Sequence, residues 1–297
     1  MPHTAPRGVV APNFTPFEDD GRIATSLFID HALALLDEGC AALAPFGTTG
    51  EALSVGIDER IEALGALIAA GAPAEKLIPG TGLTSLADTA RLSRACLDLG
   101  CAGVMTLPPF YYKNVPDDGL YAYYARLIEA VRRPGFALYL YHIPQVAGVG
   151  LPVPLVARLF ADFEEVVGIK DSSGDWSNTE KLLGIEGLIV YPSAESALDK
   201  ALPLGAPGCI TATANLNARA IAELVLAWDR SPEAAAALQP AVTAVRLAVA
   251  KHPLIEAQKR VKALATGEAR WANTRPPLLP YDPAKGAALG REIGLLA

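Results

Sequence analysis

Short apolar runs alternate with longer amphipathic stretches along most of the chain. Eight of these runs are almost continuously apolar, which is typical of parallel strands that are buried on both faces. We therefore predict eight strands, over residues 9–11, 41–46, 77–80, 103–107, 137–142, 166–171, 188–191 and 209–212.

The stretches between the runs carry apolar residues at helical spacing. They predict helices over residues 26–38, 58–69, 85–99, 117–132 and 154–160, and one more that Asp175 or Ser177 caps and that ends near Gly184. Eight strand–helix alternations favour an α/β fold of the closed (β/α)8 type, a TIM barrel, over an open sheet. No Gly-x-Gly-x-x-Gly follows the first run, which argues against a dinucleotide-binding sheet.

The pattern changes after about residue 216, where the eight alternations are complete. Residues 218–228, 232–249 and 253–264 read as helices, which is more than one barrel needs. We predict a barrel over about 8–216 with a C-terminal helical extension over about 217–297, both within one domain spanning 1–297. The proline-rich residues 275–280 predict a stiff, extended segment that packs on the rest of the chain.

The composition narrows the classes of partner. The 297 residues carry a net charge of −7, which does not suit a nucleic-acid-binding protein. No apolar run approaches the roughly 18 residues that a membrane span needs, and the first ten residues lack the apolar core of a signal peptide. We therefore expect neither nucleic acid nor membrane as a partner, and a cytoplasmic location.

The cysteines do not predict a metal site or a disulfide framework. There are four, without a Cys-x-x-Cys pair and without accompanying histidines: Cys40, Cys96, Cys101 and Cys209. Such residues are typical of small buried side chains in a reducing compartment, and no metal is expected.

Candidate chemistry lies where the apolar runs end, because active sites of barrel enzymes form at the carboxyl ends of the strands. Lys170 is the unusual residue, since it closes the run 166–169. Burial there would disfavour the ammonium form and make the amine nucleophilic. By position alone, a lysine that reaches solvent or pairs with Asp171 is equally acceptable.

Tyr141 ends the neighbouring run. Strand alternation places Tyr139 and Tyr141 on one face and His142 on the other. An inward Tyr141 could exchange protons with a substrate at Lys170, whereas His142 is expected to be a packed histidine. The turn Gly47-Thr48-Thr49-Gly50-Glu51 offers backbone N–H groups and two hydroxyls, which suits a carboxylate ligand. Glu51 is expected to orient neighbours rather than react.

Several segments together resemble the dihydrodipicolinate synthase/N-acetylneuraminate lyase family of class I aldolases. The resemblance covers essentially the whole chain and rests on Asn13-Phe14-Thr15-Pro16-Phe17, the turn at 47–51, Pro109-Phe110-Tyr111-Tyr112, Tyr141-His142-Ile143-Pro144, residues 168–174 and residues 275–280. It strengthens Lys170 and Tyr141 as candidate catalytic residues.

The resemblance implies a role for each matching residue. Lys170 would form an imine with the keto group of pyruvate or another 2-keto acid, so that no metal, flavin or pyridoxal phosphate is needed. Tyr141 would shuttle protons, with Thr49 orienting its hydroxyl and Tyr111 completing the relay across a subunit interface. We therefore expect a homodimer or homotetramer. The predicted substrate-binding residues are Gly47, Thr48, Thr49, Ser193, Glu195 and Ile210.

The aldehyde half of the reaction is left open. The position at which lysine-pathway synthases of the family carry a carboxylate-binding arginine is Val146 here. A hydrophobic side chain cannot replace that clamp. Glu195 suggests a sugar-acid substrate, although Ala212 lacks the serine hydroxyl of the sialic-acid lyases. We therefore favour a lyase for a 2-keto-3-deoxy sugar acid or a similar compound.

Two alternatives remain at this stage. One is 4-hydroxy-tetrahydrodipicolinate synthase, which condenses pyruvate with aspartate semialdehyde; another cation such as Lys113 would then hold the carboxylate. The other is an inactive barrel that only binds a keto acid.

Overall fold

The computed structural model describes residues 3–297. Met1 and Pro2, which belong to the domain predicted over 1–297 and to the segment inspected for a signal peptide, lie outside the described residues. The described part of the chain forms seven parallel strands within the barrel: β1 Gly8–Ala11, β2 Ala42–Leu43, β3 Val104–Thr106, β4 Leu138–His142, β5 Val166–Asp171, β6 Ile189–Pro192 and β7 Gly208–Ile210.

The strands pair in two groups, in the orders β2-β1-β7 and β3-β4-β5-β6. Residues 77–80, predicted as a strand, connect the groups only through isolated parallel bridges, Leu43 to Leu77 and Gly80 to Met105. The reason is local: Pro79 has no N–H to donate, so the ladder is interrupted at its centre. The carbonyl of Pro79 still accepts from the N–H of Met105 at 2.9 Å, so the segment occupies its place in the barrel wall.

The barrel encloses a packed interior rather than a pore. Inward-facing side chains from several strands form one buried cluster, which includes Val10, Tyr139, Tyr141, Tyr191 and Ile210. The aliphatic side chains on the outer faces of the strands pack against the surrounding helices in a second, larger cluster. The predicted (β/α)8 fold is thus confirmed.

The N-terminal segment lies across the end of the barrel where β1 begins. The ring nitrogen Nε2 of His3 lies 2.6 Å from the hydroxyl of Tyr139. The hydroxyl of Tyr191 donates to the carbonyl of Pro6 at 2.6 Å. Both tyrosines point from the interior cluster towards this end, so their polar tips are satisfied there.

Within residues 3–297, twelve helices surround and extend the barrel. In chain order they are α1 Thr25–Asp37, α2 Ile57–Ala69, α3 Leu86–Asp98, α4 Asp117–Val131, α5 Pro144–Ala147, α6 Val153–Asp162, α7 Trp176–Leu183, α8 Leu198–Ala201, α9 Ala214–Arg230, α10 Pro232–Val249, α11 Leu254–Thr266 and α12 Pro283–Glu292. The predicted helices match these bounds within a few residues. Of the two candidate caps of α7, Asp175 is the one that accepts from the N–H of Ser177, at 2.9 Å.

The C-terminal extension departs from the prediction in three places. Helix α9 begins at Ala214 rather than 218. The non-helical Asn217 (φ −141°) divides the helix into two parts, and the predicted helix corresponds to the second part only. Helix α12 was not predicted. Residues 275–280 do not form a stiff, extended segment: the chain turns, with the N–H of Leu278 donating to the carbonyl of Arg275 at 3.1 Å.

All four cysteines are buried and unpaired, as predicted. Within residues 3–297, no helix is both long and apolar enough to cross a bilayer. The same residues hold no group of three or more His, Cys, Asp or Glu side chains arranged to bind a metal ion.

Candidate active site

Lys170 lies inside the barrel near the carboxyl ends of the strands. It is in register with Tyr141 on β4 and Tyr191 on β6. Only 4% of Lys170 is exposed, and its Nζ lies 4.4 Å from the centre of the Tyr141 ring. None of the carboxylates in the described part of the chain forms an ion pair with it. An amine in this setting is shielded from water and not neutralised by a partner.

Asp171 does not pair with Lys170, because alternation along β5 turns its carboxylate to the opposite face. It accepts from the hydroxyl of Thr179 at 2.6 Å, the amide of Asn178 at 3.1 Å and the N–H of Ser173 at 2.9 Å. These contacts fix the turn after β5. Of the two alternatives to a reactive lysine, neither solvent exposure nor pairing with Asp171 is found.

The hydroxyl of Tyr141 is electrostatically tuned by its neighbours. Burial alone raises its pKa, but the positive charge of Lys170 and hydrogen bonding with Thr48 and Ser172 outweigh this effect. The pKa of Tyr141 is consequently lowered from the ordinary value of 10. A phenol with a lowered pKa exchanges protons more readily at neutral pH, as a proton shuttle must.

The turn after β2 places a threonine hydroxyl against Tyr141. Thr48–Gly50 form one turn of 3-10 helix, and the Oγ1 of Thr48 lies 3.4 Å from the hydroxyl of Tyr141. The resemblance implied this contact for Thr49, but Thr49 is buried and makes no side-chain hydrogen bond to Tyr141 in residues 3–297. In this structure the threonine of the turn that contacts the Tyr141 hydroxyl is thus Thr48.

A buried ion pair supports this turn, and sequence reasoning missed it. Glu51 ends the turn in a left-handed conformation (φ 54°), which costs a non-glycine residue roughly 1–3 kcal/mol. Its side chain and that of Lys259 on α11 are both fully buried and form a salt bridge. The Nζ of Lys259 also donates to the carbonyl of Thr15 at 2.9 Å, and the second Glu51 oxygen accepts from the N–H of Arg275 at 3.0 Å.

A cavity of about 390 Å³ opens beside Tyr141 at the mouth of the barrel. Gly47 and Thr48 are among the residues that line it. Most of the other lining residues are aliphatic or aromatic, and they include Val146. The volume falls within the ~300–1,000 Å³ typical of sites for small molecules.

Three other predicted substrate-binding residues, Ser193, Glu195 and Ile210, are not among those that line the cavity. Glu195 is fully buried, and its two carboxylate oxygens accept hydrogen bonds from the hydroxyls of Thr211 and Thr213. Both oxygens thus already accept hydrogen bonds within the chain, and a role of Glu195 in binding substrate hydroxyls stays a prediction. Ser193 follows β6, where its N–H donates to the carbonyl of Asp171 at 2.9 Å. Ile210 belongs to the interior cluster that includes Tyr141.

The exposed loop after β3 carries Tyr111 outside the site. Tyr111 and Tyr112 are 74% and 71% exposed, and their rings pack edge to face with centres 5.4 Å apart. Tyr111 thus does not reach Tyr141 within one chain. His142 is packed as expected, accepting through Nδ1 from the N–H of Leu151 at 2.8 Å. Burial lowers the pKa of His142 despite the nearby Asp171.

Comparison with known proteins identifies the family to which this arrangement belongs. The sequence model of the dihydrodipicolinate synthetase family matches residues 5–293. The chain belongs to this family. Among similar sequences, an uncharacterised DapA-like lyase of Chloroflexus aurantiacus is 34% identical over 289 residues, which are 96% of this chain and 95% of that protein.

Two further similar proteins support the same family assignment. The 4-hydroxy-tetrahydrodipicolinate synthase of Mycobacterium leprae is 30% identical over 275 residues, which are 91% of this chain and 87% of that enzyme. The crystal structure of dihydrodipicolinate synthase from Agrobacterium tumefaciens superposes with a TM-score of 0.88 at 34% identity, covering 97% of this chain and 99% of that one. The predicted family is confirmed, and this member is a lyase, as predicted.

Proposed function

We propose that this family member is a class I lyase in which Lys170 forms an imine with pyruvate or a related 2-keto acid. The observation that carries the proposal is the buried, unpaired Lys170 in register with Tyr141 at the mouth of the barrel. The chemistry requires no metal or organic cofactor, because the protonated imine itself withdraws electrons from the substrate.

The neighbouring groups suit each step of such a reaction. The Lys170 amine adds to the keto carbon, and loss of water from the carbinolamine gives the imine. Tyr141 carries the protons that these steps release and consume. Removal of a proton from C3 gives an enamine, which adds to an aldehyde; the reverse sequence is aldol cleavage.

The turn at 47–51 suits the carboxylate of the keto acid. Within residues 3–297, no protein acceptor is hydrogen-bonded to the N–H of Thr48 or of Thr49, which begin the 3-10 turn. Adjacent free N–H groups of this kind form a favourable anion site. We propose that they hold the carboxylate while the keto carbon lies at Lys170.

Trapping of the imine tests the proposal directly. Treatment with pyruvate and borohydride, followed by peptide mapping, should place the adduct on Lys170. Lys170→Ala should lose both the adduct and turnover, whereas Lys181→Ala, which removes an exposed lysine of α7, should retain both. An adduct elsewhere, or full turnover by Lys170→Ala, would refute the proposal.

The second candidate is 4-hydroxy-tetrahydrodipicolinate synthase, which the similarity to the Mycobacterium leprae enzyme favours. Lys113 was the cation considered for the second carboxylate. Its Nζ instead donates to the carbonyls of Phe110 and Ala147, and Lys113 does not line the cavity. Val146, at the position where lysine-pathway synthases carry the carboxylate-binding arginine, lines the cavity with an apolar side chain instead. A coupled assay with pyruvate and aspartate semialdehyde separates the two functions.

We further propose that the protein acts in the cytoplasm as a homodimer or homotetramer, in which Tyr111 of one copy approaches the site of another. The adjacent exposed rings of Tyr111 and Tyr112 support this proposal, since large apolar side chains rarely face solvent together. Analytical ultracentrifugation should show an oligomer. A fully active monomer would contradict the proposal.

A further inference from the structure

The cavity beside Tyr141 bears on the aldehyde half of the reaction, which the Lys170 chemistry leaves open. We propose that this half is an uncharged aldehyde with an apolar aliphatic or aromatic chain. In the cleavage direction the substrate is then a 4-hydroxy-2-keto acid with an apolar group on C4. The inference rests on the proposed imine at Lys170.

The chemistry of the walls is the first argument. Beyond Thr48 and Tyr141, the cavity is lined mainly by apolar side chains, including Leu107, Phe110, Ile143, Val146, Ile255 and Leu278. Among the residues that line it there is no lysine, arginine, histidine, asparagine or glutamine. A hydroxyl or amide placed against such walls would lose its hydrogen bonds to water without replacement.

Charge is the second argument. The only ionisable carboxylate in the lining is that of Glu51, whose oxygens already accept from Lys259 and from the N–H of Arg275. The negative charge of Glu51 would repel an anionic substrate. Its oxygens also have little capacity left to accept hydrogen bonds from a cationic one. A carboxylate on the aldehyde would enter an apolar cavity without a counter-charge, which is strongly unfavourable.

Position is the third argument. The cavity borders Tyr141 and Thr48, so a molecule in it lies next to the atoms that handle the reacting oxygen. In the condensation, C3 of the enamine forms a bond to the aldehyde carbon while the aldehyde oxygen takes a proton from Tyr141. Water then hydrolyses the imine and releases the 4-hydroxy-2-keto acid, with Lys170 restored. No oxidant or further reactant is required.

A substrate panel tests the inference. With pyruvate as the donor, kcat/KM for benzaldehyde and isobutyraldehyde should exceed that for glyceraldehyde and aspartate semialdehyde by at least about tenfold, since each unpaired polar group disfavours binding. Equal rates, or a preference for either polar aldehyde, would overturn the proposal.

Val146→Arg provides the sharper test. Val146 is 63% exposed at the cavity rim, so the longer side chain is accommodated without unfolding. The variant should raise kcat/KM for aspartate semialdehyde and lower it for benzaldehyde. Leu226→Arg makes the same change at a residue that is 54% exposed on α9 and outside the cavity lining, and it should leave the preference unchanged.

Two controls keep the outcomes distinct. Borohydride trapping with pyruvate alone reports the Lys170 imine without any aldehyde, so a failed trap refutes the proposed function, whereas a successful trap without aldehyde discrimination refutes only this inference. The cavity could instead receive the exposed loop of a second copy. In that case Phe110→Ala and Val146→Arg would change the sedimentation coefficient and leave the aldehyde preference unaltered, which would also overturn the inference.

Discussion

The buried pair of Lys259 and Glu51 gives the most informative test of how the reactive turn is supported. Both side chains are fully buried, and each has a further hydrogen bond, from Lys259 to Thr15 and from the backbone of Arg275 to Glu51. Burial lowers the pKa of Lys259, while the charge of Glu51 acts in the opposite direction. The ammonium is thus stabilised chiefly by the partner that it neutralises.

Lys259→Met removes the charge and keeps most of the volume. It leaves the Glu51 carboxylate buried without its cation, which should lower the free energy of unfolding by roughly 3–5 kcal/mol. Because Glu51 ends the turn that positions Thr48, kcat should fall as well; a displacement of about 1 Å at a catalytic group can cost ~10²-fold. Urea denaturation and steady-state kinetics measure the two effects.

Two comparison variants make the result interpretable. Lys251→Met breaks an exposed pair with Glu292, which should cost no more than about 1 kcal/mol. The double variant Lys259→Met/Glu51→Gln removes both charges and keeps an acceptor for Arg275, so it should recover most of the lost stability. A loss in Lys259→Met no larger than in Lys251→Met, or a double variant as unstable as the sum of the single ones, would refute the reasoning.

Three further outcomes follow from individual residues. Tyr141→Phe should still form the borohydride-trapped adduct but lose about 10²–10⁴-fold in kcat, because only proton transfer is removed; unchanged kcat would argue against a shuttle. Burial holds the pKa of His31 at about 3 against an ordinary value of 6.5, so the unfolded chain binds a proton before the folded one. The free energy of unfolding should therefore be highest above pH 6.5 and fall by up to ~1.4 kcal/mol per unit as the pH decreases towards 3, and His31→Gln should reduce that slope in urea titrations. Glu195→Gln should lower stability by about 1–3 kcal/mol through its contacts with Thr211 and Thr213 while leaving KM unchanged; a large rise in KM with normal stability would instead support the predicted substrate-binding role.

The barrel itself was predictable because its strands are buried on both faces and therefore read as apolar runs. The prediction failed where backbone chemistry rather than hydrophobicity decides. Pro79 leaves a gap in the ladder that an apolar run does not reveal. Asn217 kinks α9, so the helical pattern begins after the true start of the helix. Helix α12 contains few large apolar residues, which gives little periodicity to detect.

The residues of the candidate site also differ in how far the sequence alone could predict their contacts. Lys170 and Tyr141 could be predicted to lie side by side because each polar residue ends an apolar run and the runs are neighbours in the barrel. Lys259 gave no such signal, since a lysine in a helical stretch usually faces solvent and its partner Glu51 lies 208 residues away. The contacts of Glu195 with Thr211 and Thr213 could not be predicted either, because the sequence does not show that these residues fold over it.

The N-terminal segment across the opposite end of the barrel has a kinetic consequence. His3 and Pro6 cap Tyr139 and Tyr191 there, so in the proposed reaction both substrates and products would pass through the mouth beside Tyr141. In the proposed arrangement, with the keto acid attached at Lys170 and the aldehyde in the cavity, the aldehyde would lie between the keto acid and solvent. For the proposed reaction we therefore expect ordered binding, in which the keto acid enters first and leaves last and excess aldehyde inhibits by blocking its entry.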